Sequence, residues 1–271
     1  MSFLVHSQIW MSLSGLALIA SVGSLHGVQI SAETAIVIFC GLMWVYLLDA
    51  TASHSPEDET NQRARVQFFK KYARELGFFR LVCLAIALYI SVSLRLPKES
   101  WFFLAGAALA SWTYSVGFRG RRIKTSSLNK TWVIALAWAI GVFGALWSLE
   151  SFDVMKLSPG LLMFLVAILF FDTVVLDWRD QVGDKAHGVS SVFNSKILSS
   201  KTHIALGVFL MLSGLAFMFW VRDQQAAYLC ASYLISFNVF VHLAKRTRSS
   251  AWFNFWISSW RIVGLWAVFL N

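Results

Sequence analysis

The sequence predicts an all-α, polytopic membrane protein with about nine transmembrane helices in one domain over residues 1–271. Hydrophobic residues make up 58% of the chain and charged residues only 14%, whereas soluble domains carry about 25% charged residues. The apolar residues form long runs, and a helix needs about 20 of them to cross a bilayer. Because a lipid-exposed backbone must satisfy its own hydrogen bonds, these runs are predicted to be helices.

Nine apolar runs between polar breaks mark the predicted spans. They cover residues 9–28, 33–48, 78–95, 101–118, 131–149, 158–176, 203–221, 226–244 and 251–270. In the sixth span, Ser158 followed by Pro159 is the arrangement expected for an N-cap and the first helical residue. The sixth helix is therefore predicted to begin at Pro159.

The distribution of lysine and arginine predicts the orientation in the membrane. The loops 49–76, 118–130, 178–202 and 245–250 hold 17 of the 23 basic residues, and the loops on the opposite side hold four. Under the positive-inside rule the basic loops and the N-terminus are cytoplasmic. We expect a bacterial inner membrane and membrane lipids as partners. The net charge of +9 then reflects topology, and no nucleic-acid partner is expected.

The sharpest candidate site lies at the end of the sixth span, in the stretch FFDTVVLDWRDQVGDKAHGV. Asp177, Asp180 and Asp184 follow one another at i, i+3 and i+7, so a helix places them on one face. Three like charges there repel one another, and a divalent cation removes that penalty. Mg²⁺ prefers such hard oxygen ligands, usually together with substrate phosphates.

Charged residues also lie inside the apolar spans. Asp172 is one such residue, at a depth where an ionised carboxylate costs about 2.5–3.5 kcal/mol. A solvated helix end, with acids paired to Arg179 and Lys185, is the alternative interpretation of the stretch, but it leaves Asp172 unexplained. Arg261, in the last span, is expected to pair structurally, because an arginine in lipid is costly without a partner.

Two other loops on the same side carry charges suited to the same chemistry. Asp49 ends the second span, and the acidic run 57–59 farther along that loop is interpreted as solvated charge. The loop after the fourth span, YSVGFRGRRIKTSSLNK, holds Arg119, Arg122 and Lys130. Their cationic groups are able to neutralise a diphosphate. For most basic residues of this loop, positive-inside anchoring is a sufficient explanation.

In these stretches the chain resembles the UbiA superfamily of intramembrane prenyltransferases. The segment FDTVVLDWRDQVGDKAHGV is similar to that family's second aspartate-rich motif, and VYLLD, ending at Asp49, is similar to the start of the first. Tyr114, together with Lys130 and the following TWVIALAWA, resembles the family's Tyr- and Lys-containing stretch. The resemblance implies a UbiA-like helical bundle with a central cavity.

The resemblance also implies a function, namely Mg²⁺-dependent transfer of a prenyl group from an isoprenyl diphosphate to an aromatic or lipid acceptor, as in quinone biosynthesis. The metal ligands that it implies are Asp49, Asp177, Asp180 and Asp184. The catalytic residues that it implies are Asp49, Asp180 and Asp184. The substrate-binding residues that it implies are Tyr114, Lys130, Arg119, Arg122 and Asp172.

The first aspartate-rich motif is incomplete in this chain. Aligned on Asp49, the family pattern Asn-x-x-x-Asp-x-x-x-Asp meets Val45 and Ser53 at its flanking positions. This leaves open a non-catalytic relative that binds an isoprenoid or lipid diphosphate. A small ion-coupled transporter is a third hypothesis, because intramembrane carboxylates also mark ion pathways. Acids gathered at one interface rather than at the midplane disfavour it.

Overall fold

The computed structural model describes residues 2–52, 56–96, 98–116, 130–150, 153, 158–193, 199–247 and 250–269, and regular structure in these ranges is helical. The helices in chain order are α1 (Ser2–His6), α2 (Ile9–Leu25), α3 (Ala32–Ala52), α4 (Pro56–Asn61), α5 (Arg63–Lys71), α6 (Ala73–Ser93), α7 (Lys98–Ser115), α8 (Lys130–Glu150), α9 (Pro159–Ala186), α10 (Ser200–Trp220), α11 (Gln224–Lys245) and α12 (Ser250–Val263). A 3₁₀ helix, Gly264–Phe269, follows α12.

Each of the nine predicted spans coincides with a helix. Within the described ranges, six helices are long and apolar enough to cross a membrane, namely α3, α6, α8, α9, α10 and α11. Helix α2 is apolar but has only 17 residues, and α7 and α12 are not among the six. These helices support an integral membrane protein, whereas the count of nine spans stays a prediction.

Helix α9 is the central helix of the bundle. Of its most apolar window 61% is buried, compared with 17% for α6. Large side chains such as Phe164, Leu165 and Phe170 are fully buried, and the helix packs against α8, α10 and α11. A helix that is apolar around its whole circumference is expected in such a position. Polar side chains on the inward face of α9, such as Asp172 and Asp177, are therefore surrounded by protein.

Helix α9 begins as predicted and continues ten residues beyond the predicted membrane span. The Ser158 hydroxyl caps it by accepting a hydrogen bond from the Leu161 backbone N–H, and Pro159 lies in its first turn. Its 28 residues span about 42 Å at 1.5 Å per residue, which exceeds the roughly 30 Å of hydrocarbon. The charged residues that end the apolar run thus continue the helix beyond the hydrocarbon, because partners in the protein neutralise them.

The first long predicted loop, 49–76, is also largely helical. Helix α3 continues to Ala52, α4 and α5 follow, and α6 begins at Ala73. The short helix α4 packs against α9. The acidic run 57–59, interpreted above as solvated charge, therefore belongs to a helix that is docked on α9. Within it, Asp58 is partly buried, whereas Glu59 is exposed and pairs with Lys70.

Helices α9 and α10 approach each other closely at two glycines. A Cβ atom on Gly214 would lie 2.6 Å from the carbonyl oxygen of Gly160, and one on Gly160 would lie 2.8 Å from the carbonyl oxygen of Gly214. Small residues at such crossings allow the two backbones of membrane helices to touch. The packing of α10 on the central helix therefore depends on the absence of both side chains.

We predict that Gly214→Ala destabilises the protein by about 1–3 kcal/mol, because the methyl group forces the α9 and α10 backbones apart. The measurement is the thermal unfolding midpoint of the purified protein in detergent. Gly141→Ala, inside α8, is the matched control, since no described atom lies within 4 Å of the added Cβ. Alanine is a better helix former than glycine, so its midpoint should be equal or higher. Equal losses in both variants would contradict the close crossing.

Candidate functional site

One lysine lies between two aspartates at the centre of the candidate site. The Nζ atom of Lys130, the first residue of α8, is 3.1 Å from Oδ1 of Asp177 and 2.5 Å from Oδ2 of Asp184. The aspartate side chains are 3% and 2% exposed, and that of Lys130 is 12% exposed, so water screens these charges little. With both carboxylates ionised, the cluster keeps one net negative charge.

The start of α8 is held in place by hydrogen bonds to α9 and to the segment after it. The Lys130 backbone N–H donates to the Ser190 carbonyl oxygen at 3.2 Å. The Thr131 hydroxyl donates to Oδ2 of Asp177 and accepts from the Val192 backbone N–H at 3.3 Å. These contacts orient the Lys130 side chain toward the acidic face of α9.

Asp180 has a different set of partners from its two neighbours on α9. Its carboxylate accepts two hydrogen bonds of 2.7 Å from the guanidinium of Arg179 and one of 3.2 Å from the Gln62 amide. Arg179 also donates to Asn254 of α12 and lies over the Phe253 ring at 5.2 Å. The three aspartates share one helix face, as predicted, but Asp180 pairs with Arg179 whereas Asp177 and Asp184 share Lys130.

Asn61 clamps α4 onto the end of α9. Its amide nitrogen donates to the Asp180 carbonyl oxygen at 2.7 Å, and its amide oxygen accepts from the Gly183 backbone N–H at 2.8 Å. A Cβ atom on residue 183 would lie 2.5 Å from that oxygen, so glycine is required for this close approach. The sequence did not predict Asn61 or Gln62 as site residues. The one feature that pointed to a close contact at this place is Gly183, which precedes Asp184 in the family-like motif.

Asp49 and Tyr114 lie beside the lysine cluster. The Ser115 hydroxyl donates to Oδ1 of Asp49 at 3.1 Å, which joins α7 to α3. Tyr114 is partly buried and lies close enough to Asp49, Lys130 and Asp177 to interact with all three electrostatically. The structure therefore brings the ends of α3, α7, α8 and α9 together, as the sequence predicted.

Asp172 belongs to a second polar cluster, deeper in the bundle. Its Oδ1 accepts from the Trp260 indole N–H at 3.0 Å, and its Oδ2 accepts from the Arg261 guanidinium. At 1.5 Å per residue, Asp172 lies about 7.5 Å from Asp177 along the helix axis. The expected structural pairing of Arg261 is confirmed, with Asp172 as its partner. A substrate-binding role for Asp172 stays a prediction.

Several predicted residues lie outside the described ranges. They are Ser53 of the first motif and, in the basic loop, Arg119 and Arg122. Their predicted roles stay predictions.

The four predicted metal ligands do not form one metal-binding group. Among the described residues, no three His, Cys, Asp or Glu side chains are placed to hold a metal ion together. Asp177 and Asp184 do converge on one cationic nitrogen, that of Lys130. Mg²⁺ is usually held by one or two carboxylates together with substrate phosphates. The carboxylate oxygens of this pair are hard ligands of the kind that Mg²⁺ takes, whereas Asp49 accepts a hydrogen bond from Ser115 and Asp180 pairs with Arg179.

The fold is similar to that of a solved membrane protein. The similarity covers 99% of this chain and 96% of a digeranylgeranylglyceryl phosphate synthase of membranes, with a TM-score of 0.59 and 16% sequence identity. No protein-family model matches the sequence, and no curated protein sequence matches it. At this identity the likeness shows the fold, and the chain has the fold of this synthase.

We predict that Lys130→Met lowers stability by about 3–5 kcal/mol, because it leaves two buried carboxylates without their shared counter-ion. Adding Asp177→Asn and Asp184→Asn should recover most of this loss, since the uncompensated charges are then removed. The thermal unfolding midpoint in detergent measures both effects.

Lys201→Met, at an exposed lysine in the first turn of α10, is the control and should change the midpoint little. A single variant as stable as the wild type, or a triple variant as unstable as the single one, would contradict the ion-pair account.

Proposed function

We propose that this protein transfers a prenyl group from an isoprenyl diphosphate to an aromatic or lipid acceptor within the membrane, with Mg²⁺ as cofactor. The observation that carries the proposal is the cluster of Lys130, Asp177 and Asp184 at the end of the central helix. The fold shared with a digeranylgeranylglyceryl phosphate synthase supports it. So does the resemblance of the surrounding motifs to those of intramembrane prenyltransferases.

The polarity of α9 matches the polarity of an isoprenyl diphosphate. The middle part of α9 is apolar and buried, whereas its last turns carry Asp177, Asp180 and Asp184. A ligand with an anionic head and a long apolar tail would place its head at these last turns and its tail between the helices. A small polar substrate would leave the apolar part of this environment unused.

Lys130 is the residue that we expect to contact the diphosphate. Its ammonium group has three N–H donors, so it is able to bind phosphate oxygens while it keeps one carboxylate partner. Asp177 and Asp184 would hold the Mg²⁺ ion. When bound, this ion stabilises the charge that develops on the leaving diphosphate. Tyr114 adds a hydroxyl group beside the same charges.

Stacked aromatic side chains where α8 packs on α9 are suited to exclude water from the apolar part of the bundle. The Trp132 ring stacks on the Phe170 ring with centroids 4.1 Å apart, and Trp132 directly follows Thr131 of the cluster. Large rings exclude water, which would otherwise capture an allylic cation. Their faces also attract positive charge.

A second candidate function is binding of an isoprenoid or lipid diphosphate without turnover. One observation favours it, namely that every acid of the second motif already has a partner cation in the protein. Lys130 forms ion pairs with Asp177 and Asp184, and Arg179 forms one with Asp180. A transporter is expected to show broken helices at mid-depth, whereas the central helix α9 runs unbroken through 28 residues.

The test is release of diphosphate from farnesyl and geranylgeranyl diphosphate by the purified protein, with a panel of aromatic and lipid acceptors. We predict release that requires an acceptor and stops when EDTA removes Mg²⁺. Asp184→Asn should lower kcat by about 10²-fold or more, because it weakens the stabilisation of the leaving diphosphate. Asp180→Asn tests whether Asp180, which is paired with Arg179, takes part in the reaction.

Asp223→Asn is the matched control, because Asp223 caps α11 at the other end of the molecule and asparagine caps a helix equally well. It should keep the wild-type rate. Binding of the diphosphates without release would favour the second candidate function. Neither binding nor release would contradict both.

A further inference from the structure

We propose that the buried cluster around Arg261 is a subsite for a neutral oxygen atom of the acceptor, such as a quinone carbonyl or an uncharged ring hydroxyl. The cluster comprises Arg261, Asp172, Tyr46, Trp138 and Trp260, which come from α3, α8, α9 and α12. The role of the bound molecule as a prenyl acceptor rests on the proposed prenyl transfer, whereas its binding at this cluster is independent of that reaction.

The cluster contains hydrogen-bond donors that lack an acceptor. Arg261 is 2% exposed, and one of its terminal nitrogens donates to Asp172. Its Nε and Nη1 atoms are buried and have no hydrogen-bond partner within the described part of the chain. The hydroxyl of Tyr46 lies beside the guanidinium as a weakly interacting partner, and its own O–H group is buried without an acceptor among the described residues. A buried polar group without a partner is unfavourable, and more so when it is charged. These donors therefore point to an acceptor atom supplied by a ligand.

The charge of the cluster restricts the ligand to a neutral group. Asp172 already neutralises Arg261. A second anion would leave one uncompensated negative charge in a buried site of low dielectric, which is strongly unfavourable. A carbonyl or hydroxyl oxygen, in contrast, accepts the free N–H groups without adding charge. The subsite therefore favours a quinone-like or phenolic acceptor over a carboxylate such as 4-hydroxybenzoate.

The aromatic side chains of the cluster are suited to a planar ring. The guanidinium of Arg261 lies 4.5 Å from the centroid of the Trp138 ring and 5.6 Å from that of Trp260. The rings of Tyr46 and Trp138 are 6.1 Å apart, and both residues keep part of their surface accessible. Aromatic rings pair with one another in offset or edge-to-face geometry. A ligand ring would thus pack against aromatic side chains while its oxygen atom accepts hydrogen bonds from Arg261 and Tyr46.

The subsite lies one to two helical turns deeper in the bundle than the lysine cluster. Tyr46 precedes Asp49 by three residues on α3, and Asp172 precedes Asp177 by five residues on α9. At 1.5 Å per residue these separations are about 5–8 Å along the helices, about the length of one aromatic ring with its substituents. An acceptor bound there would present a ring carbon toward a prenyl group whose diphosphate is held at Lys130.

The experiment is equilibrium binding of duroquinone, a neutral quinone, to the purified full-length protein, with 4-hydroxybenzoate as an anionic competitor. Arg261→Lys keeps the positive charge beside Asp172 but removes the Nε and Nη1 donors, and it should weaken binding about tenfold or more. Tyr46→Phe removes one hydroxyl group and should weaken binding several-fold. Arg80→Lys is the matched control, because Arg80 donates to Thr51 on the α3–α6 side of the bundle, and it should leave binding unchanged.

Three results would overturn the inference: no duroquinone binding by the wild type, equal affinity in the wild type and Tyr46→Phe, or tighter binding of 4-hydroxybenzoate than of duroquinone. If Arg261→Lys does not fold, as its unfolding midpoint would show, Tyr46→Phe and the competition decide the question. Duroquinone binding without diphosphate release would contradict prenyl transfer and leave the subsite standing. Diphosphate release without duroquinone binding would overturn the subsite alone.

Discussion

The ion pairs of Lys130 with Asp177 and Asp184 are the constraint on which the polar end of this bundle depends. Two carboxylates stand two turns apart on a central helix, in surroundings that exclude most water, so they require a cation. Lys130 provides it from the first residue of α8, and Thr131 fixes the same helix end to Asp177. With both carboxylates ionised, one ammonium balances only one of two negative charges, so the cluster is able to attract a further cation.

The same requirement explains how the other acids of α9 organise their neighbours. Asp180 binds Arg179, which extends to Asn254 of α12, and Asp172 binds Arg261 of α12. Helix α12 is thereby attached to the central helix at two depths. Each acid carries a structural contact in addition to any role with substrate, so single substitutions need stability measurements beside activity measurements.

Much of this arrangement was predictable from the sequence, because it follows from periodicity. The apolar runs predicted the helices, and the spacing of Asp177 and Asp184 predicted their shared face. The resemblance correctly grouped Lys130 and Tyr114 with them. The clamp by Asn61 was not predictable, because it joins residues about 120 positions apart through a short polar helix without an apolar pattern. The predicted span stops at the first charges, as a hydropathy pattern must, whereas the helix continues to Ala186, where Lys130 and Asn61 bind its acids and its backbone.

The proposed isoprenyl diphosphate site lies at Lys130, between α8 and the end of α9. Its most direct test is an experimental structure of the protein with Mg²⁺ and farnesyl thiodiphosphate, a poorly reactive analogue. We predict that the diphosphate contacts Lys130, with Asp177 and Asp184 facing the metal and the tail between the helices. A diphosphate bound elsewhere, with the Lys130 ion pairs unchanged, would contradict the proposal.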